Sequence, residues 1–375
     1  MIKINLKNIC ICNQMEFEID NYNFSKEIDL SDSIKIKSLS KTYDVFYSKK
    51  DLDTLVNELY EPNDFIFIDR NVHNLSPLIF GNYKNIMIFD AIENNKVIES
   101  VLQLTDQLYN INFTKKNKLI VIGGGITQDV GGFAAAIYKR GINWIFIPTT
   151  ILSMTDSCIG SKVSINRTSK NILGMFIAPD KIFISDYFLK SLIQDDIISG
   201  IGEALKLSLI GGKKTFDFFI EKLESKDYIS IIKIASLVKK EIIEFDEFEL
   251  HARKVLNYGH TIGHAIEVTT NYFIPHGIAV LIGMLIKNIL FYKDKYDNIN
   301  KLILQLVDPK FFDIDFDYLQ FKKHILSDKK NKGNQICFIL LDEIGKSKII
   351  YKNIEEVDDK LKNIIISLFK QVEYK

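Results

Sequence analysis

Apolar residues are spaced differently in the two halves of this chain. Up to about residue 190 they come in short runs separated by helix-length stretches; beyond it they recur at helical spacing. Residues 119–122 (LIVI) form the clearest run. Too short and too β-branched for a buried helix, they predict an interior strand of a parallel sheet. Residues 43–47, 65–69, 86–90, 144–150 and 182–186 read as further strands, with helices at 52–59 and 92–109. Strand and helix in alternation predict a doubly wound α/β domain. Residues 191–307 read instead as a succession of amphipathic helices, a second and mainly helical domain. The tail, 321–375, holds a polar loop, DKKNKGN, one strand at 337–341 and a terminal helix. Residues 1–35 alternate like strand fragments, with Ile2, Ile4 and Leu6 on one face, and are expected to form an added edge or arm. The expected division is an extension over 1–35, an α/β domain over 36–187 and a helical domain over 188–375.

Composition narrows the partners. A hydrophobic share of 47% and a charged share of 26% are ordinary for a soluble globular protein. Lys plus Arg number 48 and Asp plus Glu 48, so no global field draws nucleic acid or an anionic membrane, and phosphate recognition must be local. The apolar stretch 279–286 is interrupted by Lys287 and is far short of a bilayer span. The N-terminus MIKINLKNICICNQMEFEID lacks a long apolar core and a small-residue cleavage site, so a cytoplasmic protein is expected. Cys10-x-Cys12 has no second pair to complete a tetrahedral zinc site; with Cys158 and Cys337 these cysteines read as reduced, structural thiols.

Candidate chemistry begins where the 119–122 run stops, at Gly123, Gly124 and Gly125. Glycines at the carboxyl end of such a strand let the backbone approach a ligand, and a helix N-terminus beyond them suits a diphosphate, so a nucleotide cofactor is the expected tenant. Gln128 stands where the GxGxxG fingerprint needs its third glycine. Asp69, Thr149 and Thr150 also fall at strand ends and could line the same crevice, although such residues are common in turns and caps. The histidines are His73, His251, His260, His264, His276 and His324, three of them within seventeen residues. His260 and His264 share a helical face, and a short loop can bring His276 back beside them. Neutral imidazoles with a carboxylate suit a catalytic zinc with an open position, and Glu203 and Glu267 are the local carboxylates. Glu203 sits in GIGEALKLSLI, where an unpaired buried charge would be costly; the alternative is a solvent-facing pair with Lys206. Lys162, Lys170, Lys206, Lys239 and Arg253 stand in or beside apolar stretches, which suggests anion recognition.

Together these motifs resemble the dehydroquinate synthase superfamily of sugar phosphate cyclases. The match starts at about Lys41 and is most specific through GGGITQDVGGFAAAIYKRG, IPTTILSMTDSCIGSKVSIN, SKNILGMFIAPDKIFISD, GIGEALK, LNYGHTIGHAIE and IPHGIAVLIGM. The resemblance implies an N-terminal Rossmann-like NAD-binding domain, a C-terminal mainly helical metal-binding domain, an active site between them, and a homodimer. NAD would lie against Asp69, Asn71, Glu93, Lys96, Gly123 to Gly125, Asp129, Thr149 and Thr150, with Asp156, Ser157, Lys170 and Asn171 near its nicotinamide end. Glu203, His260 and His276 would hold zinc or cobalt, leaving His264 to meet the substrate's phosphate, a ligand set that differs from the helical-face pairing. Lys162, Lys206, Lys239, Arg253, Asn257 and His264 match substrate-binding positions, Lys329 or Lys330 a basic tail contact, and Arg140 an arginine lent across the dimer. The implied substrate is 3-deoxy-D-arabino-heptulosonate 7-phosphate. A transient oxidation by NAD acidifies a C–H bond, phosphate leaves, the ketone is reduced again, and an intramolecular aldol closure gives 3-dehydroquinate. The chain departs from the family in Ile278 (HGIAV for HGEAV), in Gly160-Ser161-Lys162 (for GGK) and in a shorter stretch from Lys162 to Lys170. Relatives that act on glucose 6-phosphate or sedoheptulose 7-phosphate to give inosose or valiolone products share the pattern; Asn257 and His264 favour the keto acid. A metal-dependent polyol dehydrogenase is the more distant alternative.

Overall fold

The computed structural model describes residues 14–328 and 331–371; Ile2, Ile4, Leu6, Cys10, Cys12, Lys329 and Lys330 lie outside the described residues. A hairpin of β1 (Gln14–Ile19) and β2 (Tyr22–Glu27) leads into the α/β half. There follow β3 (Ser33–Ile36), β4 (Tyr43–Ser48), α1 (Leu52–Leu59), β5 (Phe65–Asp69), α2 (Arg70–Leu75), α3 (Pro77–Phe80), β6 (Ile86–Phe89) and α4 (Ile98–Asn110). Next come β7 (Lys118–Gly123), α5 (Gly125–Ile137), β8 (Asn143–Pro148), a hairpin of β9 (Lys162–Ile165) and β10 (Leu173–Phe176), and β11 (Lys181–Ser185). Asp51 caps α1 by accepting from the Thr54 N–H at 2.9 Å, which sets the start of that helix.

Seven strands form one sheet in the order β3-β4-β11-β8-β7-β5-β6, parallel except between β3 and β4. Residues 65–68 and 119–122 are at most 2% exposed, because helices cover both faces of the sheet; this is why their sequence runs apolar without alternating. The chain steps outward from β5 to β6, then returns to β7 and proceeds the other way, so the topological switch falls between β5 and β7. A ligand crevice belongs at that point. α5 lies close on the sheet: a Cβ on Gly131 would run into Val121 and one on Gly132 into Val163. Those glycines serve the close helix–sheet packing that the third fingerprint glycine usually serves, so Gln128 is tolerated.

The second half contains α6 (Gln194–Ile210), α7 (Lys213–Glu224), α8 (Tyr228–Phe245), α9 (His260–Thr269), α10 (His276–Tyr292), α11 (Asp297–Leu306), a two-residue β12 (Asp315–Phe316), α12 (Tyr318–Leu326), β13 (Gln335–Glu343), β14 (Lys346–Asn353) and α13 (Asp358–Leu368). α6 from Ile198 onward and most of α10 are buried on every side, so they read as apolar rather than amphipathic. The stretch His276–Leu306 is long and apolar enough to cross a bilayer, yet 72% of its most apolar window is buried inside the protein. α6, α9 and α10 cross on glycines. A Cβ on Gly202 would strike the Gly277 carbonyl, and one on Gly283 would strike the Gly259 carbonyl and the Gly263 N–H.

Three expectations change. The helix expected over 92–109 begins only at Ile98, because the Lys96 carbonyl accepts from Asn166 at 2.8 Å and Val97 bridges to the same residue, drawing that segment extended toward β9. The tail holds two long strands rather than one, and a two-residue β15 (Lys370–Gln371) that pairs with β12. β14, KSKIIYKN, pairs antiparallel with β13, but its lysines and half-buried positions hide the strand period. Of the two forms expected for the N-terminal segment, an edge or an arm, the hairpin takes the first, and it adds to the tail: β1 pairs parallel with β14, giving a four-stranded sheet of order β13-β14-β1-β2. Residues 14–27 thus belong by pairing to the tail's sheet, while β3, which ends at Ile36, is the edge of the seven-stranded one, so a boundary at residue 36 does not match the pairing.

Backbone contact at the α9–α10 crossing leaves no room for a methyl group. Gly283→Ala is expected to lower unfolding free energy by about 1–3 kcal/mol, the usual cost of overpacking. An unchanged denaturant midpoint would contradict the packing described here.

Candidate active site

The crevice at the sheet's carboxyl edge is built from strand ends. Asp69 ends β5 and caps α2 by accepting from the Asn71 N–H at 2.8 Å; burial pushes its carboxyl up. Gly124 is the N-cap of α5 and supplies no side-chain cap, and among the described residues no side chain bonds to that helix's first N–H groups. Those donors and the helix dipole therefore face the crevice unsatisfied, as a diphosphate requires. A Cβ on Gly125 would touch the Ser157 hydroxyl at 3.6 Å. Gln128 ties that serine down: its amide donates to the Ser157 carbonyl at 2.8 Å and its oxygen accepts from the Ser157 hydroxyl at 2.6 Å. The Thr149 N–H reaches the Gly123 carbonyl at 3.0 Å, and the Thr150 hydroxyl bonds Ser153 at 2.9 Å. Beside them Lys96 pairs with Asp129 at 2.5 Å and donates to the Asn171 side chain at 2.6 Å, while Glu93 accepts from Asn166 at 2.8 Å. Asp69, Gly123 to Gly125, Thr149 and Thr150 thus line the carboxyl edge of the sheet, with Glu93, Lys96, Asp129 and Asn171 bonded beside them, and the glycine turn suits a diphosphate.

A second cluster forms where three helices converge. Glu203 lies in the middle of α6 at 0% exposure, and His260 and His276 are the first residues of α9 and α10. Gly259, at φ 81°, turns the chain left-handed into α9, and Pro275 leads into α10. Glu203 Oε1 is 3.4 Å from Nε2 of His260 and 3.4 Å from Nε2 of His276, yet this buried oxygen makes no hydrogen bond. Its other oxygen accepts from Lys206. The solvent-facing alternative for this pair therefore does not hold, because α6 has no solvent-facing side there. His264 joins the group: one ring nitrogen from each of His260, His264 and His276 lies within 4.8 Å of the others. His276 Nδ1 donates to Glu267 Oε2 at 2.9 Å, which fixes the tautomer and leaves Nε2 facing Glu203. Burial alone would lower the His276 pKa, but Glu267 and Glu203 raise it to about 10. Against burial, His276 and Lys170 hold the Glu267 carboxyl at about 2. An unbonded carboxylate oxygen facing imidazole nitrogens is the donor set of a divalent metal.

Basic groups fill the space between the clusters. Asp156 accepts from Lys239 at 2.7 Å and lies 3.7 Å from the Lys206 ammonium. Burial would raise its carboxyl, but Lys206 and Lys239 hold it far below the ordinary range. Burial pushes the Lys239 ammonium down in spite of Asp156, whereas Asp156 and Glu203 overcome burial at Lys206 and raise it. Arg253, 3% exposed, donates to the Gly160 carbonyl at 3.0 Å and to the Glu247 carbonyl, and its Nε has no hydrogen-bond partner. Lys162 pairs with Glu249, which also accepts from Asn257 at 2.6 Å.

Nearly all the expected site residues come together. Arg140 does not: it is exposed at the far end of α5, about 20 Å of helix from the glycine turn. Lys329 and Lys330 lie outside the described residues. Sequence reasoning missed Glu249, which sits in the run EFDEFE and looks like part of a solvated acidic face; only its left-handed backbone, φ 60°, turns it toward Lys162. It also missed the partnership of Gln128 with Ser157.

Comparison with known proteins gives consistent matches. The family profile described as 3-dehydroquinate synthase N-terminal matches residues 86–199, and that described as 3-dehydroquinate synthase C-terminal matches residues 200–331. A 3-dehydroquinate synthase from Clostridium tetani is 35% identical over 359 residues, covering 92% of this chain and 91% of its own. Among solved structures, a 2-deoxy-scyllo-inosose synthase complexed with carbaglucose-6-phosphate, NAD+ and Co2+ superposes with a TM-score of 0.74 at 20% identity, covering 88% of this chain and 99% of that one. A 2-epi-5-epi-valiolone synthase from Streptomyces hygroscopicus with NAD+ and Zn2+ bound gives 0.73 at 20% identity, with 88% and 99% covered. At that identity the likeness is one of fold.

Asp156 carries a pH signature. Its folded pKa lies below its unfolded value of about 4, so its stabilisation is present above about pH 4 and is lost as pH falls below that. Asp156→Asn should therefore be less stable than wild type at pH 7, with the gap narrowing at pH 3; equal gaps in denaturant unfolding at the two pH values would contradict this.

Proposed function

Since this chain belongs to the 3-dehydroquinate synthase family, we propose that it converts 3-deoxy-D-arabino-heptulosonate 7-phosphate to 3-dehydroquinate and phosphate, using NAD and a divalent metal, zinc or cobalt. One observation carries this reading. The glycine turn abuts Ser157, its neighbour Asp156 faces Lys206, and Lys206 pairs with Glu203 beside His260 and His276, so the nucleotide crevice and the metal-type cluster open on one space.

Within that space each group has a task. Gly123 to Gly125 and the uncapped start of α5 take the diphosphate, with Asp69 and Asn71 at the neighbouring strand end. Glu203, His260 and His276 would hold the metal. Bound there, the nicotinamide supplies reversible hydride transfer and the metal supplies Lewis acidity at a substrate hydroxyl. Lys206, locked between Glu203 and Asp156, would keep a fixed positive charge beside the metal-type cluster. Arg253, with its unpaired Nε, and Asn257 with Lys162 take the substrate's carboxylate, and His264 and Lys239 orient the phosphate. Glu249 satisfies Lys162 and Asn257 until the substrate replaces it. Arg140, exposed and remote within its own chain, serves the site of a second copy in a homodimer.

The test is phosphate release by purified protein given NAD and Zn2+ or Co2+. Release from the heptulosonate phosphate without net NADH is expected. No release from any sugar phosphate would overturn the reading, release from glucose 6-phosphate or sedoheptulose 7-phosphate alone would place the chain with the other cyclases, and net NADH from a polyol would make it a dehydrogenase. Lys162→Met should lower kcat/KM about 10- to 100-fold, the equivalent of the 1.5–3 kcal/mol carried by a hydrogen bond to a charged group; unchanged kinetics would remove Lys162 from the site.

A further inference from the structure

Glu267 touches both halves of the molecule. Its Oε2 accepts from His276 Nδ1 at 2.9 Å, and its Oε1 lies 3.2 Å from the Lys170 ammonium. Lys170 belongs to the α/β half, in the segment joining β9 to β10, and the next residue, Asn171, bonds Lys96, the partner of Asp129 on α5. The polar chain therefore runs from the helix behind the glycine turn, through Lys96 and the Lys170–Asn171 segment, to Glu267 and the imidazole beside Glu203. A third contact closes over it. Tyr272, in the loop between α9 and α10, holds its ring 4.8 Å from the Lys170 ammonium, and its backbone is left-handed at φ 61°, a conformation costly for an aromatic residue and sustained only where surrounding contacts hold it. Glu267 itself is 3% exposed, while Lys170 and His276 are half-buried beside it.

We propose that Glu267 is a positioning residue that couples the two cofactor sites, so that ordering of the Lys170 segment by NAD aims His276 and tightens metal binding. The proposal rests on the function inferred above but adds something to it: the sites are energetically linked through one carboxylate, and linkage makes the effect reciprocal. A carboxylate behind a ligand histidine governs both the orientation and the basicity of the ring. Here that carboxylate answers in turn to a cation on the other half of the protein.

Co2+ affinity of the full chain, followed by visible absorption with and without saturating NAD, tests this. In wild type NAD should tighten Co2+ binding by about fivefold or more. Glu267→Gln keeps an oxygen for His276 Nδ1 but offers no charge to Lys170; it should bind Co2+ alone more weakly than wild type, yet less weakly than Glu267→Ala, and lose the NAD effect. Glu267→Ala, checked for folding by circular dichroism, should bind Co2+ about 10- to 100-fold more weakly with or without NAD. An NAD effect of wild-type size in Glu267→Gln, or none in wild type, overturns the coupling. Wild-type protein that binds neither NAD nor Co2+ would instead overturn the enzymatic reading itself.

Discussion

A carboxylate without access to water sets the terms for the helical half. Glu203 sits in mid-helix at 0% exposure, with one oxygen bonded to Lys206 and the other facing two imidazole nitrogens without a hydrogen bond. Leaving a buried polar atom unsatisfied costs about 1–3 kcal/mol, and more for a charged one. A cation between Glu203 and the histidines would remove that cost. The starts of α9 and α10 serve the same end, since Gly259 and Pro275 place His260 and His276 each at the first position of a helix. Gly202 and Gly277 then bring the start of α10 against α6, and Gly263 and Gly283 bring α9 against α10, more closely than any side chain would allow.

The constraint reaches the α/β half through Lys206. Its ammonium is shared between Glu203 and Asp156, and Asp156 is held in turn by Lys239 from α8. Ser157, the next residue, is fixed by Gln128 on the helix that follows the glycine turn. The geometry of the nucleotide crevice and that of the metal-type cluster are thus set by a single run of paired charges. Removing any one member would leave its neighbour buried and unpaired, which is costlier than replacing the whole pair.

Much of this was legible in the chain. Strands 65–69 and 119–122 were readable because both faces are covered, and the helix Leu52–Leu59 because Asp51 caps it. The spacing of His260, His264 and His276 foretold their convergence, since helical geometry fixes the first pair and a short loop limits the third. What was not legible depends on long-range pairing or on backbone conformation. The N-terminal hairpin finds its partner more than 300 residues away, in β14, through a parallel register that no local pattern encodes. Glu249 belongs to the site only because its backbone is left-handed, and Gln128 looked like a defect in a glycine motif because its partner Ser157 lies across the sheet edge. Ser161 is also left-handed, at φ 60°, where the related pattern carries glycine, so this chain accepts strain beside Lys162.

Charge pairing also bears on which substrate the pocket prefers. The chain has no net charge, and most of the gathered cations already face a carboxylate: Lys206 faces Glu203 and Asp156, Lys239 faces Asp156, Lys162 faces Glu249, and Lys170 faces Glu267. Arg253 is different; among the described residues it bonds only carbonyl oxygens, and its Nε bonds nothing. On the proposed reading, a substrate carboxylate would replace Glu249 at Lys162 and Asn257 and add a partner for Arg253. The desolvation of the cations has been met in folding, so the gain depends on where the incoming oxygens fall. A sugar phosphate without a carboxylate would leave Arg253 Nε unpaired and would gain little by displacing Glu249. At about 1–3 kcal/mol for a buried group left unsatisfied, the difference amounts to about 5- to 150-fold, and it would favour the keto acid over sugar phosphates that lack a carboxylate.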